Sequence, residues 1–135
     1  MKENIKIFVY GTLLEGYGNH RNFLKGRSKK LGEFTTPAEY EMIHLGGFPG
    51  VVPDGKTAII GEVYEIGSDV ARNIDGLEGY RKDNPTEGLY NKVLIPTNFG
   101  DAYMYTYNIR GGRTINEFNN SDYIVASGSW KTVSM

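Results

Sequence analysis

Short segments in which apolar and polar residues alternate constrain the fold of this chain more than any other feature of its sequence. Alternation runs through residues 5–10 and 57–66, and again through residues 89–96 and 101–109, which flank a short connection at residues 97–100. A period of two residues is typical of a β-strand, and two such segments around a short connection predict a hairpin. The chain is therefore predicted to form a sheet of five to seven short, mostly antiparallel strands.

Short helices are predicted between these strands. One runs from Asn19, as its N-cap, to about Lys25; a second has Ser68 as its N-cap and ends at Gly79; a third opens on a capping box at residues 114–117. The elements do not follow a βα alternation, which favours an α+β domain over a parallel α/β sheet. We expect an α+β fold with a mostly antiparallel, partly closed sheet.

The composition excludes several classes of protein. A length of 135 residues is enough for one domain, residues 1–135, with a core that needs no disulfides. The chain has no cysteine, which removes thiolate nucleophiles and cysteine zinc sites. Its net charge of −1 gives no general attraction to nucleic acid, and no segment approaches the ~18 apolar residues of a membrane span. We expect a soluble, cytoplasmic protein whose partners are neither nucleic acid nor membrane.

Two features allow a nucleic-acid interpretation, and both have a simpler structural one. The first is a basic cluster that could face phosphates but is better explained as a solvated helix end and loop. This cluster comprises Arg21, Lys25, Arg27, Lys29 and Lys30. The second is one strand face with Tyr103, Tyr105 and Tyr107, which could stack on bases together with Arg110 and Arg113. Packing explains these tyrosines better because the net charge is close to zero.

Few side chains remain that could perform catalysis. The chain lacks the glycine-rich phosphate loops of nucleotide-binding proteins and the G-x-S-x-G motif of hydrolases. His20 and His44 lie far apart with no third ligand in pattern, so we expect two partly exposed or hydrogen-bonded histidines and no metal site. No cofactor is predicted either, which leaves acid–base chemistry by a carboxylate.

Glu78 is the carboxylate best placed for such chemistry. On the predicted second helix it lies about 80° from Val70 and about 40° from Ile74, so it borders the apolar face. Apolar surroundings disfavour the charged form of a carboxylate and raise its pKa toward the range useful for proton transfer. A solvated glutamate at a helix end is the alternative. For the nearby Asp75 we prefer a structural role, as a carboxylate that bonds loop amides at the helix C-terminus.

The segment Tyr10-Gly11-Thr12-Leu13 ends the first predicted strand on a residue that has no Cβ. Gly11 can adopt a positive φ, so that the amides that follow turn away from the strand and cluster. A cluster of backbone N–H groups makes a concave site for an anion or a polarised carbonyl. We therefore expect this turn to hold a small acidic substrate while Glu78 moves its proton.

Together these segments resemble the γ-glutamylcyclotransferase-like family, which includes the AIG2-like proteins. The similar segments, in family order, are Tyr10-Gly11-Thr12-Leu13, Gly18-Asn19-His20, Phe48-Pro49-Gly50, Gly61-Glu62-Val63-Tyr64, Ile74-Asp75-Gly76-Leu77-Glu78-Gly79-Tyr80, Tyr103-Met104-Tyr105 and Ser127-Gly128-Ser129-Trp130. The resemblance covers residues 5 to about 130. It implies a small β-barrel with two to three short flanking helices and a cofactor-free enzyme that releases 5-oxoproline from a γ-glutamyl compound.

The resemblance also implies roles for individual residues. Glu78 matches the family's catalytic glutamate, which would take a proton from the attacking α-amine and pass it to the leaving nitrogen. The loop that would hold the glutamyl part corresponds to Tyr10, Gly11, Thr12 and Leu13, and Gly79 and Tyr80 complete the expected substrate-binding set. Lys92 departs from the pattern: many relatives carry arginine there, and lysine cannot make arginine's bidentate clamp on a carboxylate.

Two functions stay open at this point. One is an active cyclotransferase that acts on a small γ-glutamyl molecule; the other is a non-catalytic relative that binds a small ligand or a protein through the same pocket. The combination of Glu78 with the turn favours the enzyme. Glutathione, γ-glutamyl amino acids and γ-glutamyl-lysine amides are all possible donors, and a monomer or weak homodimer is expected.

Overall fold

Two sheets and two helices make up the part of the chain that the structure, a computed structural model, describes: residues 5–45, 48–84, 88–108 and 124–132. In chain order the elements are β1 (Ile5–Val9), α1 (Gly18–Phe23), β2 (Ser28–Thr35), β3 (Tyr40–His44), β4 (Pro49–Pro53), β5 (Ile60–Ile66), α2 (Ser68–Leu77), β6 (Tyr90–Thr97), β7 (Gly100–Tyr107) and a short 3₁₀ helix (Trp130–Thr132). No helix within the described ranges is long and apolar enough to cross a membrane.

The larger sheet has β1 at its centre, in the order β2-β5-β1-β7-β6. Its neighbouring strands are antiparallel except β1 and β7, which run parallel. β6 and β7 form the predicted hairpin, with Tyr90 opposite Tyr107. β3 and β4 pair separately as an antiparallel two-stranded sheet. The predicted α+β class with a mostly antiparallel sheet is confirmed.

The barrel implied by the family resemblance is corrected by the structure, because the sheet does not close within the described residues. Closure needs a hydrogen-bond ladder that returns to its first strand, whereas the larger sheet ends at the two edge strands β2 and β6. The smaller sheet packs beside β7 without pairing with it in the described residues. A Cβ built on Gly50 of β4 would come within 2.8 Å of the Tyr107 Cβ. Side-chain packing therefore joins the two sheets where the barrel would have closed.

The residues of β1 form the centre of the hydrophobic core. Ile7, Phe8 and Val9 point to alternate faces of the sheet, yet each is at most 3% exposed. Both faces of β1 are thus covered, and burial of each large apolar side chain contributes about 1.5–3 kcal/mol to stability. This packing fixes the end of β1, and with it the turn that follows.

Both helices begin differently from the prediction. Tyr17 and Gly67 occupy the two N-cap positions and neither makes a side-chain cap, so Asn19 and Ser68 lie inside the helices instead of capping them. The predicted end of α2 is confirmed, because Gly79 has a φ of 66° and turns the chain away. The third predicted helix, at residues 114–117, lies outside the described residues.

Candidate active site

A cavity of about 170 Å³ opens where the end of β1 meets the starts of β4 and β6 and the end of α2. This is several times the ~30 Å³ that one water molecule occupies in the liquid. Its lining residues are Phe8, Val9, Tyr10, Gly11, Thr12, Leu13, Phe48, Pro49, Leu77, Glu78, Leu89, Tyr90 and Tyr105. Among these described residues Glu78 alone carries a formal charge, so the cavity is an apolar and aromatic space with one carboxylate.

The structure brings together most of the site residues predicted from the sequence. Tyr10, Gly11, Thr12 and Leu13 line the cavity on one side, and Glu78 lines it on another, although more than sixty residues separate them in the chain. Gly79 and Tyr80 do not belong to the lining. They follow Glu78 directly in the chain.

Gly11 is required for a different reason from the one predicted. Its φ is not positive, so the turn does not depend on a left-handed conformation. A Cβ on Gly11 would instead lie 2.8 Å from the Pro49 Cγ, a distance that real Cβ atoms do not adopt. The absence of a side chain therefore lets β4 approach the turn and close that side of the cavity.

The turn leaves backbone donors unused. The Leu14 N–H donates to the Gly11 carbonyl at 3.0 Å, but the N–H groups of Gly11, Thr12 and Leu13 donate to no acceptor among the described residues. Buried or partly buried N–H groups are nearly always paired in folded proteins. Three consecutive free donors at the edge of a cavity are therefore available to a bound carboxylate or carbonyl oxygen.

Two side chains of α1 hold the turn in place. The Asn19 amide donates to the Thr12 hydroxyl at 2.7 Å, which is why Asn19 does not cap its helix. The His20 Nδ1 lies 3.0 Å from the Leu13 carbonyl and acts as the donor, since a carbonyl only accepts. His20 is buried with its ring 5.4 Å from that of Tyr64. The expectation that His20 is a hydrogen-bonded histidine is thus confirmed.

No metal site is formed by the described residues. They contain no group of three histidine, aspartate or glutamate side chains close enough to hold an ion. The second histidine, His44, packs its ring 5.1 Å from that of Trp130, far along the chain.

Glu78 is poised to exchange a proton near neutral pH. It is the C-cap of α2, where the helix delivers its half-buried side chain to the cavity. Burial raises the pKa of Glu78 from its ordinary value of 4.5 to about 7, and the nearby Asp75 carboxylate adds to the effect. The Glu78 carboxylate forms no hydrogen bond or ion pair with the described side chains, so nothing there compensates its charge.

Three tyrosines surround Glu78 as neutral hydroxyls. Tyr10 donates to the Tyr105 carbonyl at 2.6 Å and Tyr90 donates to the Pro49 carbonyl at 2.5 Å. Burial raises the pKa of Tyr10, Tyr90 and Tyr105 well above the ordinary value, and the Glu78 charge raises each further. Sequence reasoning missed Tyr90, and it assigned Tyr105 to packing; the alternation of β7 indicated its face but not its neighbours.

Asp75 bonds no loop amide among the described residues and pairs with other side chains instead of the predicted amides. Its carboxylate accepts hydrogen bonds from the Lys92 ammonium, 3.1 Å from each oxygen, and from the Tyr105 hydroxyl. The Lys92 Nζ also lies 5.1 Å from the Tyr80 ring centroid, which explains the position of Tyr80 beside the site. The residue that departs from the family pattern is thus paired with the carboxylate one helical turn before Glu78.

This arrangement can perform proton transfer at an acyl group. A carboxylate with a pKa near the operating pH can both accept and donate a proton. Free backbone N–H groups in the same cavity can stabilise the oxyanion that forms when a nucleophile attacks a carbonyl.

Comparison with known proteins identifies the family. The family model described as gamma-glutamyl cyclotransferase, AIG2-like, matches residues 7–132. A relative from Vibrio cholerae is 36% identical over 124 residues, which cover 92% of this chain and 93% of the relative. The Niallia circulans protein named gamma-L-glutamyl-butirosin B gamma-glutamyl cyclotransferase is 29% identical over 106 residues, 76% of this chain and 66% of that protein. The crystal structure of PH0828 from Pyrococcus horikoshii matches with a TM-score of 0.69 and 26% identity, over 94% of this chain and 90% of that one. The chain therefore belongs to the gamma-glutamyl cyclotransferase, AIG2-like family.

Proposed function

We propose that this protein is a γ-glutamyl cyclotransferase that releases 5-oxoproline from a small γ-glutamyl molecule without a cofactor. The observation that carries the proposal is the meeting, in one cavity, of Glu78 with a pKa of about 7 and the free N–H groups of Gly11, Thr12 and Leu13. Membership of the family supports it, as does the relative that is named for cyclising γ-L-glutamyl-butirosin B.

The reaction is an intramolecular acyl transfer. The α-amine nitrogen of the glutamyl group attacks its own γ-carbonyl carbon, and a carbon–nitrogen bond forms that closes a five-membered ring. Glu78 accepts the proton that this nitrogen loses. The γ-carbonyl oxygen becomes an oxyanion beside the turn, where each hydrogen-bond donor is worth about 3 kcal/mol in comparable sites.

The second half of the reaction returns the proton. The bond between the γ-carbon and the leaving nitrogen breaks while Glu78 donates its proton to that nitrogen. The products are 5-oxoproline and the free amine, and no water is consumed. Since attack is intramolecular, holding the substrate folded supplies several kcal/mol toward the barrier.

The remaining site residues have supporting roles in this proposal. Tyr10 and Thr12 hold the wall and the turn through their hydrogen bonds to Tyr105 and Asn19. Gly79 and Tyr80, which were expected to bind substrate, support the site without lining the cavity. Gly79 turns the chain after Glu78, and the Tyr80 ring lies against Lys92.

The test is release of 5-oxoproline from a panel of γ-glutamyl donors by the purified protein. The panel includes glutathione, γ-glutamyl amino acids and γ-glutamyl-lysine amides. Glu78→Gln keeps the shape of the side chain and should lower the rate about 10²- to 10⁴-fold, the usual contribution of a general acid–base group. If the wild type turns over none of these donors, the protein is better explained as a binding module. Full activity of Glu78→Gln would refute the assignment of the carboxylate.

A further inference from the structure

Lys92 and Asp75 form an ion pair beside the proposed catalytic carboxylate. Asp75 precedes Glu78 by one turn of α2, and residues at this spacing lie on the same side of a helix. The Lys92 Nζ contacts both Asp75 oxygens at 3.1 Å, and the Tyr105 hydroxyl donates to one of them. The Lys92 and Asp75 side chains are 18% and 23% exposed, so water screens this pair less than a surface pair.

Lys92 is fixed in position from its other side as well. Its Nζ lies 5.1 Å from the ring centroid of Tyr80 and 4.9 Å from that of Tyr103. Both distances are within the range of a cation–π interaction. The ammonium group is thus enclosed by two rings and one carboxylate, which leaves the ion pair little freedom to rearrange.

Among the described residues, Asp75 is the charged group that acts on Glu78, beside three tyrosines. Tyr10 directly follows β1, Tyr90 lies in β6 and Tyr105 lies in β7, all as neutral hydroxyls. α2 contributes the Asp75 carboxylate, whose charge opposes ionisation of Glu78 after the larger effect of burial. Lys92 carries the opposite charge and pairs with Asp75.

We propose that Asp75 and Lys92 are positioning residues that set the protonation of Glu78. Asp75 acts as a fixed negative charge that keeps Glu78 able to hold a proton near neutral pH, and Lys92 limits the strength of that effect. This inference rests on the proposed function for its catalytic meaning, but the charge coupling itself is a property of the folded protein. It also gives Lys92 a role that does not require the bidentate geometry of arginine.

Two substitutions should shift the Glu78 midpoint in opposite directions. Asp75→Asn removes the negative charge but keeps an acceptor for Tyr105, so the midpoint should fall by on the order of one pH unit. Lys92→Met keeps the aliphatic stem against the aromatic rings but removes the positive charge, so the midpoint should rise. Lys92→Arg restores the charge and should return the midpoint toward the wild-type value.

The measurement is a ¹³C NMR titration of protein labelled at the glutamate carboxyl groups. The Glu78 resonance is assigned by its absence in Glu78→Gln, and no substrate is needed. Lys131→Met is the matched control, because it breaks a lysine–carboxylate pair with Glu62 elsewhere in the fold and should leave the Glu78 midpoint unchanged. The acidic limb of the pH profile of kcat/KM should move with the NMR midpoint in each active variant.

The outcomes separate this inference from the proposed function. Opposite shifts for Asp75→Asn and Lys92→Met support the inference, whereas unchanged midpoints or shifts in the same direction overturn it. If Asp75→Asn does not fold, Lys92→Met decides alone, and a midpoint that stays or falls is the contrary result. A wild type that turns over no γ-glutamyl donor refutes the proposed function, while the midpoints still decide the charge coupling.

Discussion

Glu78→Gln should make the protein more stable at neutral and alkaline pH while it removes the proposed activity. The folded protein raises the pKa of Glu78 from 4.5 to about 7, chiefly by burial. Between these two pH values the folded state holds the Glu78 proton and the unfolded chain has released it. Folding stability therefore falls as the pH rises through this window, and the loss is complete above pH 7. Glutamine has no proton to lose and escapes the effect.

The magnitude follows from the size of the pKa change. A rise from 4.5 to about 7 corresponds to about 3 kcal/mol, at 1.36 kcal/mol for each unit. Glu78→Gln should therefore exceed the wild type by about 3 kcal/mol in free energy of unfolding at pH 8, and by close to zero at pH 4. For a chain of 135 residues, the gain at pH 8 corresponds to roughly 10 °C in Tm.

The assay is urea unfolding of both proteins at several values of pH between 4 and 8, with equal m-values as the sign that the unfolded states are alike. Glu33→Gln, at an exposed glutamate of β2, is the control for a general effect of removing one negative charge. If Glu78→Gln is no more stable than the wild type at pH 8, the site does not disfavour the charged carboxylate. The reasoning that makes Glu78 an acid–base group would then fail.

Two further substitutions test the frame around the site. Gly11→Ala should lower 5-oxoproline release at least tenfold and lower the free energy of urea unfolding by about 1–3 kcal/mol, since its Cβ would lie 2.8 Å from Pro49. Gly18→Ala is the control and should be nearly neutral, because a Cβ there meets nothing within 4 Å. Glu62→Gln should destabilise the protein by about 2 kcal/mol at pH 7, because it breaks the ion pair of the buried Glu62 with the half-exposed Lys131. If the loss of unfolding free energy is just as large at pH 3, this explanation is contradicted.

The elements that the sequence predicts well are those decided by neighbouring residues. The hairpin of β6 and β7 follows from two alternating segments and the short connection between them. The end of α2 follows from Gly79, whose positive φ is available to glycine at no cost. Both depend on contacts within a few residues, which a single sequence displays directly.

Features that depend on distant contacts could not be predicted in the same way. Gly11 looks like a turn glycine, but the atom that excludes a side chain there belongs to Pro49, 38 residues later. Asn19 has the chemistry of an N-cap, but Thr12 offers its side chain a better partner. The open edges of the larger sheet likewise depend on where the β3–β4 pair packs, which local periodicity does not determine.

The candidate site was predictable in its carboxylate and its turn but not in its electrostatics. The apolar face of α2 indicates that Glu78 lies at a border with the core. The pairing of Asp75 with Lys92 could not be predicted, because Lys92 lies in another element seventeen residues away. The family resemblance included Asp75 in a shared segment and marked Lys92 as a departure, but only the fold shows that the two side chains pair.

Two glutamates of this chain show why Glu78 differs from a structural carboxylate. Glu62 is 1% exposed, yet its oxygens accept hydrogen bonds from the Glu15 N–H, the Tyr64 hydroxyl and the Lys131 ammonium. Burial by itself raises the pKa of Glu62, but these donors outweigh burial and leave the pKa below its usual value of 4.5. Glu62 therefore stabilises the fold above that pH and loses its contribution as the pH falls through its lowered pKa.

Glu78 has the opposite dependence, since its ionisation destabilises the fold as the pH rises toward 7. The two contributions together favour the folded state most near pH 4.5, where Glu78 is protonated and cannot act as a base. A glutamate kept for stability would have donors such as those of Glu62, and the described residues give Glu78 none. Retention of the Glu78 carboxylate for proton transfer explains this cost in stability. The same reasoning predicts that the pH of greatest stability lies below the pH of greatest activity.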